Sequence, residues 1–204
     1  MKYTKHLDGS KVFFTSDTHF FHENILRFCN RPFANIEEMN KYIIDKWNIK
    51  VPEDGIVYHL GDFGFGTTSR LVYILRQLNG EIHLITGNHD RKQLKDRVFE
   101  TSFASVTQQR YIYVEDQAMY LNHCPLLCFD GVYRNNPTWQ LFGHVHSGPN
   151  SMDGLDIPRL EMLFPTQYDV GVDNNNFVPV SFYEIKDIIN KRLLTKQIND
   201  YGKL

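Results

Sequence analysis

Four short runs along the chain carry side chains that bind metal ions: Asp17-Thr18-His19, Gly61-Asp62, Gly87-Asn88-His89-Asp90 and Gly143-His144-Val145-His146. A further pair, Asn122-His123, lies between the last two. Carboxylate, imidazole and amide donors, with no thiolate among them, suit Mn²⁺, Fe or Zn²⁺ better than a soft ion, and Ni²⁺ or Co²⁺ also fit. As a set they are the donors of a hydrolytic site with two metals. Two ions about 3.5–4 Å apart clamp the attacking and leaving oxygens of an in-line displacement.

Donors so far apart in sequence need elements that bring them together. The segments KVFFTS, GIVYHL, EIHLIT and TWQLF precede the four runs, and QAMYL precedes Asn122; each reads as a buried strand. Strand ends can converge on one edge of a sheet, where α/β proteins place their chemistry. Between the strands, residues 22–30 read as a short helix. NIEEMNKYIIDKWNIK puts Ile36, Met39, Tyr42, Ile43 and Trp47 on one helical stripe. TSRLVYILRQLNG reads as a helix capped at Asn79-Gly80. Alternating strand and helix up to about residue 98 predicts a mainly parallel sheet. YIYVEDQAMYL reads as a hairpin, YDVGVDNNNFVPVSF as two short strands, and EIKDIINKRLL as a C-terminal helix.

With 204 residues and no visible linker or repeat, the expectation is one domain over 1–204. A net charge of −2 argues against a broadly basic face for nucleic acid, although a local basic patch at a cleft, and hence a nucleic-acid substrate, stays open. Homo-oligomerisation also stays open. No apolar run approaches a membrane span, and MKYTKHLDG has no apolar signal core, so the expected location is the cytoplasm. Cys29, Cys124 and Cys128 have no zinc-ribbon or redox spacing. Cys124-x-x-x-Cys128 could be read as a metal pair, and idle thiols are the plainer reading.

The order D-x-H, G-D, G-N-H-D, H, G-H-x-H, running from Asp17 to His146, resembles the calcineurin-like metallophosphoesterase superfamily. The resemblance implies an α/β fold: a four-layer α-β-β-α sandwich of two mixed sheets flanked by helices, with a dinuclear metal site at the strand ends. It implies that Asp17, His19, Asp62 and His146 hold one divalent ion, and that Asn88, His123, His144 and a shared Asp62 hold the other. Mn²⁺ is the favoured ion. A hydroxide bridging the two metals would attack, so that no separate base is required. Two divalent ions outweigh two carboxylates and that hydroxide by one positive charge, which suits a phosphoryl anion. By the same resemblance His89 would protonate the leaving alkoxide as general acid, and Asp90 would orient its imidazole. His6, His59 and His83 match no position of the pattern.

The expected activity is hydrolysis of a phosphodiester in a small nucleotide-type substrate. The alternative is phosphomonoester hydrolysis at the same site; a scaffold without chemistry is disfavoured because every ligand position is filled. Asn88 and His22 are candidate substrate contacts. Arg27 and Arg31, spaced i and i+4, either reach a phosphate or form a solvated helix face, and Arg91 and Arg134 are weaker anchors. Tyr133 and Trp139 either pack in the core, the preferred reading, or stack on a base. Phosphoprotein and diadenosine tetraphosphate hydrolases carry an arginine soon after G-D; here Gly61-Asp62 is followed by Phe63-Gly64-Phe65-Gly66. There is no room for the added domain of repair nucleases or the helical cap of lipid-A pathway hydrolases. The chain is most similar in outline to small cap-less bacterial and phage phosphoesterases.

Overall fold

The computed structural model describes residues 6–147 and 161–201. The first sheet is built on three parallel, wholly or largely buried strands: β2 (Val12–Thr15), β3 (Ile56–His59) and β4 (Glu81–Ile85). The parallel edge strand β5 (Ser105–Thr107) extends it on one side, and the antiparallel β10 (Val180–Ser181) on the other. The second sheet runs in the order β1 (His6–Leu7), β6 (Gln109–Val114), β7 (Gln117–Asn122), β8 (Trp139–Phe142) and β9 (Gln167–Asp169). Its one antiparallel pair is the β6–β7 hairpin, turned at Glu115-Asp116; its other pairs are parallel. Both sheets are therefore mixed.

Burial on both faces explains why the strands read as unbroken apolar runs. In β2, Val12 and Phe14 point into the core between the sheets, where they meet Ile112, Val114, Met119 and Leu121. Phe13, on the opposite face, joins Val57, Ile82 and Leu84 beneath the helices. That outer layer comprises α1 (Glu23–Phe28), α2 (Ile36–Lys50), α3 (Thr68–Leu75) and α4 (Arg97–Glu100). The α2 stripe buries Ile36, Met39, Ile43 and Trp47 as its spacing demands, and Asn35 caps the helix by accepting from the Glu38 amide at 2.8 Å. The last helix, α5 (Phe182–Tyr201), closes the inter-sheet core with Phe182, Ile185 and Ile189.

Two helices and one side chain depart from expectation. Helix α1 stops at Phe28, so Arg27 and Arg31 do not share a helix face. Helix α3 ends at Leu75 instead of reaching Asn79-Gly80; Asn48 instead takes up the Asn79 amide, at 2.8 Å. Trp139 lies in the core as preferred, whereas Tyr133 is 86% exposed, so the core reading fails for it.

The sheets meet at one end. Beyond β2 and β9, Ser16 and Gly171 form a parallel bridge, and the Val172 amide donates to Ser16 O at 3.0 Å. This joint gathers the loops that follow β2, β3, β4, β7 and β8, which carry the candidate ligands. No helix among the described residues is long and apolar enough to cross a membrane.

Candidate metal centre

Backbone conformation singles out the site before any side chain is considered. Asp17, His19, Asp62, His144 and His146 have φ of 58°, 50°, 57°, 73° and 46°, the left-handed region that L-residues enter at a cost. Surrounding contacts hold them there: the Asp17 and His19 amides donate to Gly61 O and Asp62 O at 2.9 and 3.1 Å. The motif glycines allow carboxylates to come close. A Cβ on Gly87 would strike the Asp62 carboxylate, and one on Gly143 would strike Asp17 and Ser16. Neither has a positive φ, so close approach, not turn geometry, explains these two.

The side chains form two groups. Ligand atoms of Asp17, His19 and His146 lie within 4.8 Å of one another, and so do those of Asp62, His123 and His144. Asp62 links the groups: its Oδ2 is 3.7 Å from His19 Nε2 in the first and 3.5 Å from His123 Nε2 in the second. Asp17 Oδ1 stands 4.0 Å from His19 Nε2 and 3.9 Å from His146 Nε2. Most of these separations exceed a hydrogen bond, yet lie within twice a metal–nitrogen bond of about 2.1 Å. Asp17 Oδ1 and His19 Nε2 are fully buried without a hydrogen-bond partner. Buried polar atoms are rarely left so, and two facing each other across such a gap fit a divalent ion between them.

Three imidazoles are oriented through their second nitrogen. His123 Nδ1 donates to Leu60 O at 2.6 Å, His146 Nδ1 is bonded to Asp173 Oδ2 at 2.7 Å, and His19 Nδ1 pairs with His22 Nδ1 at 3.2 Å. Each bond turns Nε2 toward the carboxylates, the arrangement that metal-binding histidines require. Burial, then Arg31 and neighbouring histidines, drives His19 well below its ordinary pKa, which keeps it a neutral donor. Burial also pushes against charge on His123 and His146, but nearby carboxylates win. Asp62 and Asp17 lift His123 to about 9, while Asp173, Cys29 and Asp17 lift His146 to about 11. A potential that holds protons so firmly also attracts a divalent cation.

The structure reassigns several candidates. Arg31 is buried and makes a two-pronged ion pair with Asp173, at 2.8 and 2.7 Å, while donating to Asp17 O and Thr18 O. It clamps the first ligand loop and is not available to a phosphate. Arg27 is exposed against the Phe28 ring, on the solvated face that was the other reading. Asp90 does not orient His89: its carboxylate accepts the amides of Asp62, Phe63 and Gly87 at 2.8, 2.9 and 2.8 Å, binding two ligand loops together. His22 stacks on Phe65 with ring centroids 3.9 Å apart and steadies His19. Asn88 Oδ1 lies 3.0 Å from His123 Nε2. His89 has a nearly half-exposed ring, its Nε2 4.0 Å from Asp62 Oδ2, while its amide donates to Asp62 Oδ1 at 2.9 Å. Arg91 is exposed beside Asn88, and exposed Arg134 pairs with Asp130. Cys124 and Cys128 are free thiols in no ligand group found among the described residues.

Two carboxylates went unassigned in the sequence. Asp173 joins Arg31 to His146. Asp169, fully buried, accepts from Ser147 and from the Gly171 amide; burial raises its pKa to about 6 against the pull of the Ser147 hydroxyl. Asp169 ends β9 and Asp173 follows it in YDVGVDNNN, and a buried-strand run ending in carboxylates is the available signal.

The family model for calcineurin-like phosphoesterases matches residues 10–170. An uncharacterized protein of Methanocaldococcus jannaschii is 37% identical over 194 residues, covering 93% of this chain and 97% of its own. The gene 66 protein of Mycobacterium phage L5 is 32% identical over 84 residues, 40% of each chain. Among solved structures, a protein of unknown function from Aquifex aeolicus superposes with a TM-score of 0.65 at 22% identity, covering 87% of this chain and 98% of that one; this likeness concerns the fold alone.

Proposed function

We propose that this chain, which belongs to the calcineurin-like phosphoesterase family, hydrolyses a phosphodiester bond in a small nucleotide-type substrate, using two divalent ions, with Mn²⁺ preferred. The observation that carries this reading is the position of Asp62 Oδ2, 3.7 Å from His19 Nε2 and 3.5 Å from His123 Nε2, between two groups of donors. A carboxylate with two oxygens can serve both groups, as an amide or imidazole could not. Asp17, His19 and His146 would hold one ion; His123, His144 and Asn88 the other. Bound there, the ions supply positive charge that offsets charge building on the phosphoryl group and activate water at neutral pH.

The chain's own residues do the rest. The His89 ring, beside Asp62 and open to solvent, would give a proton to a leaving alkoxide. Asp90 holds the Asp62 and Asn88 loops in register through three backbone amides. Few cations remain for substrate among the described residues of the site: Arg31 is spent on Asp173 and Arg27 lies against Phe28, which leaves Arg91. A monoester carries two negative charges and a diester one, so this scarcity favours the diester. The test is a comparison of bis(4-nitrophenyl) phosphate with 4-nitrophenyl phosphate in Mn²⁺. A kcat/KM at least about tenfold higher for the diester is expected; the reverse order would select the monoesterase alternative.

A further inference from the structure

A cleft of about 770 Å³ opens directly from the second ligand group, sharing Asn88 and His123 with it. That volume falls in the range of small-molecule sites. It runs from the end of β4 across the β5–β6 junction to the end of β7. Of the described residues that line it, Arg91 is the one arginine, lysine or carboxylate. A polyanion would therefore meet a single counter-charge, whereas an uncharged polar group would meet amides and hydroxyls.

Two of those amides are fixed as a pair. Gln109 and Asn122 both line the cleft and stand directly opposite each other on the antiparallel strands β6 and β7. Residues so paired project to one face of the sheet, with Cβ atoms about 5 Å apart. The oxygen of each is occupied: Gln109 Oε1 accepts from the Tyr120 hydroxyl, and Asn122 Oδ1 accepts from the Cys124 amide at 2.9 Å. Each oxygen thus has one lone pair engaged, whereas neither NH₂ group has a hydrogen-bond partner among the described residues, so the pair presents chiefly donors. Leu94 and Val106 add apolar surface against which a flat ring can rest.

We propose that this cleft is the subsite for the organic substituent on the phosphoryl group, and that the Gln109–Asn122 pair recognises an acceptor-bearing heterocycle of nucleobase type. The assignment rests on the phosphodiesterase reading above and names the substituent that reading leaves open. Rings with carbonyl oxygens and ring nitrogens present the acceptors the pair lacks, and a plain aryl group does not. An aryl substituent would enter the cleft but leave both NH₂ groups without partners.

The test uses the full chain loaded with Mn²⁺ and two esters with the same leaving group: the 4-nitrophenyl ester of thymidine 5′-phosphate and bis(4-nitrophenyl) phosphate. In Gln109→Ala, KM for the nucleoside ester is expected to rise about tenfold, the cost of one lost hydrogen bond. KM for the bis-aryl ester should stay within about twofold, which also shows that the variant is folded. Equal changes for both esters, or none, would overturn the proposal while leaving the phosphodiesterase reading intact. If the wild-type protein turns over neither ester, that reading fails, and the cleft is judged by calorimetry of thymidine 5′-phosphate with metal-free protein. Binding weakened about tenfold in Gln109→Ala supports the subsite. Absence of binding, equal binding by variant and wild type, or inorganic phosphate binding as tightly as the nucleotide overturns it.

Discussion

His89 differs from His19, His123 and His146 in one respect that bears on its use. His19, His123 and His146 each have one ring nitrogen tied to a neighbour and the other facing a carboxylate. Among the described residues no hydrogen bond ties the His89 ring, which packs beside Phe65 and is nearly half exposed, free to meet a substrate. His89→Ala should therefore leave two metals bound and slow esters with basic alkoxide leaving groups by about 10²–10⁴, and nitrophenyl esters far less, since a nitrophenolate departs without a proton. Paired kinetics with elemental analysis checks this, and equal losses on both ester types would mean that His89 grips the phosphoryl group instead. Asp62→Asn should act differently. Its carboxylate faces both donor groups, so metal content should drop from both sites and not from one; two Mn²⁺ ions per chain retained in that variant would remove Asp62 from its bridging place.

At the scale of elements, the site depends on loops that hold one another. The Arg31–Asp173 pair ties the loop after β2 to the segment after β9, and Asp173 in turn orients His146. Both partners are buried, and removing one side of such a pair leaves an uncompensated charge that costs about 3–5 kcal/mol. Arg31→Met should lower the unfolding free energy by that order even in chelator. Asp173→Asn, which keeps size and removes charge, should weaken one of the two proposed Mn²⁺ sites about 10- to 100-fold and spare the other, read as a split into tight and weak binding by calorimetry. Uniform weakening of both sites would show that the relay does not act through His146. The strands that carry the ligands, helix α2 and the hairpin were legible because buried apolar runs, a 3.6-residue stripe and a polar two-residue turn are local signals, whereas the short edge strands β1 and β5 have no such run. The ligand types were legible because they sit at strand ends in a recognisable order. Arg31 and Asp173 were not: they lie 142 positions apart, and nothing near either announces the other. Asp90 was misread for the complementary reason. Its neighbour in sequence is His89, but its neighbours in space are the amides of Asp62, Phe63 and Gly87.

For the whole molecule, the loops of the metal centre are joined to the core through His59, and this makes stability depend on pH. His59 is fully buried at the end of β3. The Thr18 hydroxyl donates its one proton to Phe63 O at 2.8 Å, so at 3.0 Å from His59 Nε2 it must accept. The Gly61 amide, 3.2 Å from Nδ1, donates to that nitrogen. His59 is thus a neutral imidazole with its proton on Nε2, and a second proton on Nδ1 would confront the Gly61 N–H. Burial accordingly depresses its pKa from 6.5 to about 3, against the raising influence of Asp62. Unfolded, the same imidazole titrates at its ordinary value, so below pH 6.5 the unfolded chain binds a proton that the folded chain refuses. The contribution is intact above pH 6.5 and is lost as pH falls toward 3, with a slope of about 1.4 kcal/mol per pH unit for one proton. His19, His22, His83 and His144, also depressed chiefly by burial, steepen the same limb. His123 and His146, raised, act in the opposite sense, their share being full below pH 6.5 and lost as pH rises through about 9 and 11. Urea unfolding of chelated protein should therefore show falling stability from pH 6.5 to pH 4, and His59→Gln should flatten that fall by one proton's slope. Because the quantity read is a slope, a variant that is merely less stable overall still gives the answer. An unchanged slope would mean that His59 takes up its proton in the folded state, and that the Thr18 and Gly61 contacts do not fix its tautomer.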